Sequence, residues 1–242
     1  MSNSNTRQSD DRSGKLVEEP RNFFMTLRDV AFWIRSARAD AALARLRTTV
    51  TAGEAFDRLY RLTDDPYGTA LPQYRYQRRK YRALLSILPK RMYGDVLDIG
   101  CGLGVFSRVL APHAERVLGI DVSLHAVSQA RSHSAGFANL HFEQGDIQSF
   151  DSPRRFDLVV LADVMYYLPT STDVSVQTIA AKLTALLEPG GLLLLVNHFF
   201  FTVDRPSRMT RRIHNAFRDS RDLAVVSEHR RAFYLATVLE RR

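Results

Sequence analysis

The run Asp95-Val96-Leu97-Asp98-Ile99-Gly100-Cys101-Gly102-Leu103-Gly104 constrains this 242-residue chain more than any other stretch. Its apolar start is too short for a helix. Three glycines then alternate with other residues, and Phe106, Val109 and Leu110 resume an apolar spacing of three to four, which reads as strand, tight turn and helix. Glycines at such a turn permit positive φ and let a ligand approach the main chain, while the helix that follows presents unpaired N–H groups. A nucleotide-like ligand is expected there. Asp98, at the strand end, would repel a pyrophosphate and attract a cation. Ser107 also stands where the third glycine of the dinucleotide fingerprint would be. The turn therefore points to a cationic cofactor.

The rest of the chain supplies the frame for that turn. Residues 1–19 are Ser, Asn, Asp and Arg with little apolar content and read as a disordered tail. Residues 20–92 read as an N-terminal helical cap. Within it an amphipathic helix from Phe23 to Leu46 is suited to packing on the main body or on a second copy of the chain, giving a homo-oligomer, in preference to a membrane surface. A capping box, Thr51 to Glu54, opens a short helix that stops at Asp65-Pro66, and Gln73 to Leu88 carries Gln77, Tyr81, Leu84 and Leu88 along one side. From 93 to 242 short apolar strands alternate with helices. The strands are Arg116 to Asp121, Leu140 to Phe142, Phe156 to Leu161 and Leu192 to Val196. The helices are one from Ser123 to Ser134 and one from Asp173 to Leu187, closed by Pro189-Gly190-Gly191. Such alternation predicts a doubly wound, Rossmann-like α/β fold with a parallel sheet covered on both faces. After a helix at Ser207 to Phe217, the runs Leu223 to Ser227 and Phe233 to Leu239 are close enough for a hairpin, so one edge of the sheet should be antiparallel.

Ligands of such sheets bind beyond the carboxyl ends of the strands. Asp98 and the glycines, Asp121, Asp146-Ile147 and Ala162-Asp163-Val164 all arrive there. Asp121 suits a ribose diol and Asp146 an exocyclic adenine amine, with Val122 and Ile147 against the purine. An adenosine with a cationic appendage is S-adenosylmethionine. The formal charge of +8 invites nucleic acid as a partner, but the basic clusters Arg75-Arg78-Arg79-Lys80-Arg82 and Arg205-Arg208-Arg211-Arg212 lie on helices where a solvated face is the simpler expectation. A single cysteine, Cys101, excludes an internal disulfide and a Cys-rich metal site, and no metal is called for. The chain has no run of apolar residues long enough for a membrane span and no signal-peptide core, so the cytoplasm is the expected compartment.

These residues, Val96 to Gly104, Gly119-Ile120-Asp121, Gly145-Asp146-Ile147, Phe156 to Val159 and Leu187 to Gly191, resemble the class I S-adenosylmethionine-dependent methyltransferases. The resemblance implies a seven-stranded, mostly parallel sheet with an antiparallel last strand, a cofactor held by Gly100, Cys101, Gly102, Asp121 and Ala162, and adenine read by Asp146. A narrower set looks like the nodulation protein S group, whose members N-methylate an amino sugar: Phe56-x-x-Leu59-Tyr60, Asp65-Pro66-Tyr67, Tyr76-x-x-x-Lys80-Tyr81 and Asp163 to Leu168. Here Tyr67 stands where that group usually has tryptophan, and a helix is added before Thr51.

Methyl transfer from an activated donor chiefly requires alignment and exclusion of water, with a base for the acceptor's proton. The candidate catalytic residues are His198, Asp163 and Tyr166, with Tyr167 and Asn197 beside them. Tyr76 and Arg79 are candidates to close over the cofactor's carboxylate. His214, among arginines, is expected at the surface. N-methylation of a small-molecule acceptor such as an amino sugar or glycosylated metabolite is the expected activity. The alternatives are an O-methyltransferase, an RNA methyltransferase and a cofactor-binding interaction protein without catalysis.

Overall fold

The structure is a computed structural model that describes residues 16–18, 27–168, 172–200, 204–231 and 233–242. Its strands are β1 (Leu16–Glu18), β2 (Tyr93–Ile99), β3 (Ala114–Asp121), β4 (Leu140–Gln144), β5 (Phe156–Ala162), β6 (Leu187–His198), β7 (Leu223–Arg230) and β8 (Tyr234–Arg241). They form one sheet in the order β1-β7-β8-β6-β5-β2-β3-β4. β8 runs antiparallel to both its neighbours and all other pairings are parallel. The seven strands expected of a doubly wound sheet are present, with the last reversed. β1 adds a short edge strand beside β7, so the tail expected over 1–19 is corrected at 16–18, and its other residues lie outside the described ones. Pro189-Gly190-Gly191 does not close a helix. Phe156 pairs with Leu187 and Leu158 with Leu192, so residues 188–191 bulge out within β6.

Alternation along the strands assigns the two core faces. Val96, Leu158, Val160, Leu192 and Leu194 face one side, with side chains of α3 (Arg75–Ser86), α4 (Val105–Leu110) and α5 (Leu124–His133). Leu97, Ile99, Val159, Leu161, Leu193 and Leu195 face the other, with α6 (Asp173–Leu186) and α7 (Arg205–Arg218). Cutting any one of these leucines to alanine would cost about 2–5 kcal/mol.

The N-terminal helices α1 (Leu27–Leu46) and α2 (Ala52–Leu62) lie over the carboxyl ends of the strands. Thr51 and Glu54 form the expected capping box, each side chain accepting from the other's backbone N–H at 3.3 Å. Ala39 and Leu43 of α1 pack on Ala55 and Leu59 of α2. Asp57 of α2 in turn accepts from Ser123 Oγ at 3.1 Å and His125 N at 2.9 Å, which ties the cap to the start of α5. Tyr81 of α3 stacks on Phe106 of α4 at 4.7 Å. No helix among the described residues is long and apolar enough to cross a membrane.

Candidate active site

One cavity opens at the strand ends, and the turn after β2 forms its first wall. Gly100 N and Cys101 N both donate to Ile120 O, at 2.8 and 3.1 Å, which presses the turn against β3. Gly100 has φ 69°, and a Cβ there would overlap Val164. Gly102 has φ 52°, and its Cβ would come within 2.9 Å of Tyr60 Oη. Both are positions where a side chain would fill the approach to the main chain.

Asp121, at the end of β3, accepts from Gly102 N and Ser123 N, each at 2.9 Å. Burial pushes its carboxyl up, opposed by these two N–H groups. An ionised carboxylate has about four acceptor positions, so the cavity side remains able to accept a diol. Val122, Asp146, Ile147 and Ala162 line the same cavity, with Asp146 Oδ1 accepting from Gln148 N at 2.9 Å. These expected cofactor positions are therefore brought together.

Three expected positions are not. Asp98 shares a sheet face with Val96, under α4, so its carboxylate turns away from the cavity and accepts from Ser107 Oγ at 2.6 Å. Burial there pushes its pKa up to about 7. The third carboxylate on the cavity wall is Asp163 instead. Tyr76 and Arg79 lie on the wrong faces of α3, because residues four apart share a side and those facing the cavity are Gln77 and Tyr81. The Tyr76 ring packs among Phe32, Trp33 and Phe233 at 5.2–5.8 Å, and Arg79 is exposed. Sequence reasoning passed over Gln77, a polar side chain on the apolar stripe of that helix, and Lys80, expected on a solvated face with its neighbouring arginines but buried, because it stands three residues after Gln77 and turns inward to Asp163.

Asp163 is the centre of a charged cluster. Its φ of 61° is the one positive value among described non-glycine residues, a conformation aspartate tolerates better than most. Oδ2 pairs with Nζ of Lys80, which is only 2% exposed, and Oδ1 lies 3.7 Å from His198 Nε2. Burial pushes the Asp163 carboxyl up, but Lys80 and His198 outweigh it and hold it below the usual carboxylate range. For His198, burial pushes the pKa down and Lys80 adds to this, while Asp163 only partly restores it. A neutral imidazole follows near neutral pH. The Tyr166 ring stacks on His198 at 5.2 Å. Gln77 Oε1 is buried in the cavity lining without a hydrogen-bond partner among the described residues, whereas Tyr166 Oη lies within reach of Asp163, and Tyr67 Oη within reach of Tyr167 and Asp40. Buried polar groups are nearly always satisfied, so Gln77 is placed to meet a polar ligand.

Two neighbours differ from expectation. Asn197 points to the opposite face of β6 from His198, and its Oδ1 meets His214 Nε2 at 3.2 Å. His214 is 1% exposed, with Nδ1 2.7 Å from Thr237 Oγ1, because Thr210, Ile213, His214 and Phe217 form the inner stripe of α7. Burial, with Arg218 adding to it, lowers its pKa to about 3.

The strand order, reversed last strand, glycine turn and carboxylates after β3 and β4 define a class I S-adenosylmethionine-dependent methyltransferase fold. Within that class, the chain belongs to the nodulation protein S (NodS) family, whose profile matches residues 56–199. It is 34% identical over 131 residues to nodulation protein S of Rhizobium tropici, covering 54% of each chain. It is 37% identical over 115 residues to trans-aconitate 2-methyltransferase of Deinococcus radiodurans, covering 46% of this chain and 41% of that one. The chain spans about half the length of these curated relatives. The solved structure of N-methyltransferase NodS from Bradyrhizobium japonicum WM9 in complex with S-adenosyl-L-homocysteine superposes with a TM-score of 0.61 at 22% identity, covering 86% of this chain and 98% of that one.

Proposed function

We propose that this chain is an S-adenosylmethionine-dependent methyltransferase acting on a small-molecule acceptor, with nitrogen preferred to oxygen. The observation that carries the reading is the meeting of an adenosine-shaped wall with the Lys80–Asp163–His198 cluster on one cavity. The residues fit the cofactor. Asp121 offers acceptor positions for a ribose diol, Asp146 for an adenine amine, Val122 and Ile147 an apolar purine slot, and Gly100 and Gly102 an open main chain. Bound there, S-adenosylmethionine supplies an activated methyl group on a sulfonium.

The chain's own groups handle the acceptor. His198 receives the acceptor's proton at Nε2, Asp163 stabilises the imidazolium that results, and Lys80 keeps Asp163 ionised. An ammonium near pKa 10 stands about 4 units above an ordinary imidazole, or roughly 5 kcal/mol. An alcohol stands far above it again, so its proton has to be taken in step with attack on the methyl group. A histidine held below its ordinary value therefore favours an amine, which attacks once neutral, over an alcohol, which needs a base throughout the attack.

The helices of 20–92 serve as the cap over the domain of 93–242, and exposed Val30 and Ile34 on α1 offer an apolar edge for self-association. The cytoplasm is the compartment this reading assigns. Nucleic acid is the weaker acceptor class, since Arg75, Arg78, Arg79 and Arg82 are exposed on the outer side of α3 and do not line the cavity. The reading is tested with radiolabelled S-adenosylmethionine offered to amines, alcohols and tRNA in parallel. Label in amines supports it, whereas label in tRNA alone, or in alcohols alone, contradicts it.

A further inference from the structure

A second cleft lies behind the cofactor cavity, between α1 and α7. The two share Ser36, Tyr166, Tyr167 and His198, so one thin wall carrying the proposed base separates them. From α1 the cleft takes Trp33, Ala37, Asp40, Leu43 and Ala44, a stripe at helical spacing, from the turn after it Arg47, and from α7 it takes Arg205, Pro206 and Met209. Both helices lie outside residues 56–199, the part of the chain that carries the family profile.

The lining is mainly carbon, and its two guanidiniums, on Arg47 and Arg205, are solvent-exposed, where water screens their repulsion of a cation. Thr210 is occupied, donating to His198 O at 2.7 Å. Asp40 Oδ1 accepts from Tyr167 Oη at 2.8 Å, and no cation pairs with this carboxylate among the described residues. Trp33 presents an indole ring whose N–H is buried without a partner among the described residues. A sugar chain brings many hydroxyls and would leave most of them facing carbon. An apolar ring with one basic nitrogen matches the surface, because the ring covers the aromatic wall and the nitrogen finds the carboxylate.

We propose that this cleft is the acceptor site and that it takes an amine carried on an apolar, ring-sized body, with Asp40 holding the ammonium as it enters. The proposal rests on the methyltransferase reading above. Asp40 and His198 stand on the same cleft, so the cation is received at a carboxylate and loses its proton at a neutral imidazole. Burial pushes the Asp40 carboxyl up, with Tyr167 and His198 opposing it, and an ammonium partner would add to that opposition.

Trp33 is the single tryptophan of the chain, so its fluorescence reports occupation of the cleft. The test titrates the full chain, with S-adenosylhomocysteine bound, with 2-phenylethylamine, 2-phenylethanol and glucosamine. The amine should bind about tenfold more tightly than either comparator, the equivalent of about 1.4 kcal/mol. Asp40→Asn should abolish the gap between amine and alcohol, and Ala37→Leu, which narrows the cleft without touching charge, should weaken both. Equal affinities, tightest binding of glucosamine, no response to the amine, or an amine preference that survives Asp40→Asn would overturn the assignment. Calorimetry of S-adenosylhomocysteine on each variant separates the two levels. If the wild-type chain does not bind it, the methyltransferase reading fails; if it binds while the amine does not, only the cleft assignment fails.

Discussion

The wall built by the turn after β2 and the ends of β3 to β5 differs in construction from the wall built by α1 and α7. The first is held at its backbone N–H groups: Ile120 O accepts from Gly100 and Cys101, and the Asp121 carboxylate accepts from Gly102 and Ser123. The second is held by side chains on helices packed from opposite ends of the chain, with Tyr167 to Asp40 and His214 between Asn197 and Thr237 as its polar links. A wall whose backbone is fixed by one carbonyl and one carboxylate keeps its shape through substitutions at its other side chains. A wall made of helix faces changes its lining with each one. The family profile, over residues 56–199, covers the first wall and includes neither α1 nor α7.

The largest effect expected from this contrast is at His214, which anchors the second wall. Its folded pKa of about 3 lies below the ordinary value of 6.5, so the stability that it contributes is complete above pH 6.5 and is lost as pH falls towards 3. Over that window the loss should reach about 4 kcal/mol. Urea titrations across pH on wild type and His214→Gln would measure it, and an equal slope in the variant would break the assignment. Next is Asp163→Asn, at the seam of the two walls. It leaves buried Lys80 without its counter-ion, and stability should fall by about 3 kcal/mol in chemical denaturation. A loss under about 0.5 kcal/mol would show that Lys80 finds another partner. Smallest is Asp121→Ala, which should weaken S-adenosylhomocysteine by about 1–3 kcal/mol in calorimetry. Because the first wall alone should feel this change, binding of 2-phenylethylamine at the second should stay within about twofold.

What was legible in the sequence follows the same division. Strand alternation, the glycine turn and the acidic residue at the end of β3 are local, and they placed Gly100, Gly102, Asp121, Val122, Asp146, Ile147 and Ala162 on one cavity. Side-chain direction was not legible where it depended on a partner element. Asp98 stands one residue before the end of its strand, but which sheet face α4 covers decides that it meets Ser107. Helix phase was readable in α3, where Gln77 and Tyr81 sit on the apolar stripe, yet charge drew attention to Arg79 on the exposed side. His214 looked superficial among arginines, although Ile213 and Phe217 mark its stripe as inward. The acceptor cleft could not be read at all, since it exists only after α1 and α7 are brought to either side of Tyr166 and His198.

The central claim is that two sites meet at His198, one for the cofactor and one for an amine. His198→Ala tests it most directly, with S-adenosylhomocysteine affinity measured by calorimetry and methyl transfer to an amine by label. The account predicts affinity within about twofold of wild type and a transfer rate lower by about 100-fold or more. Equal losses in both, or a rate that does not change, would contradict it.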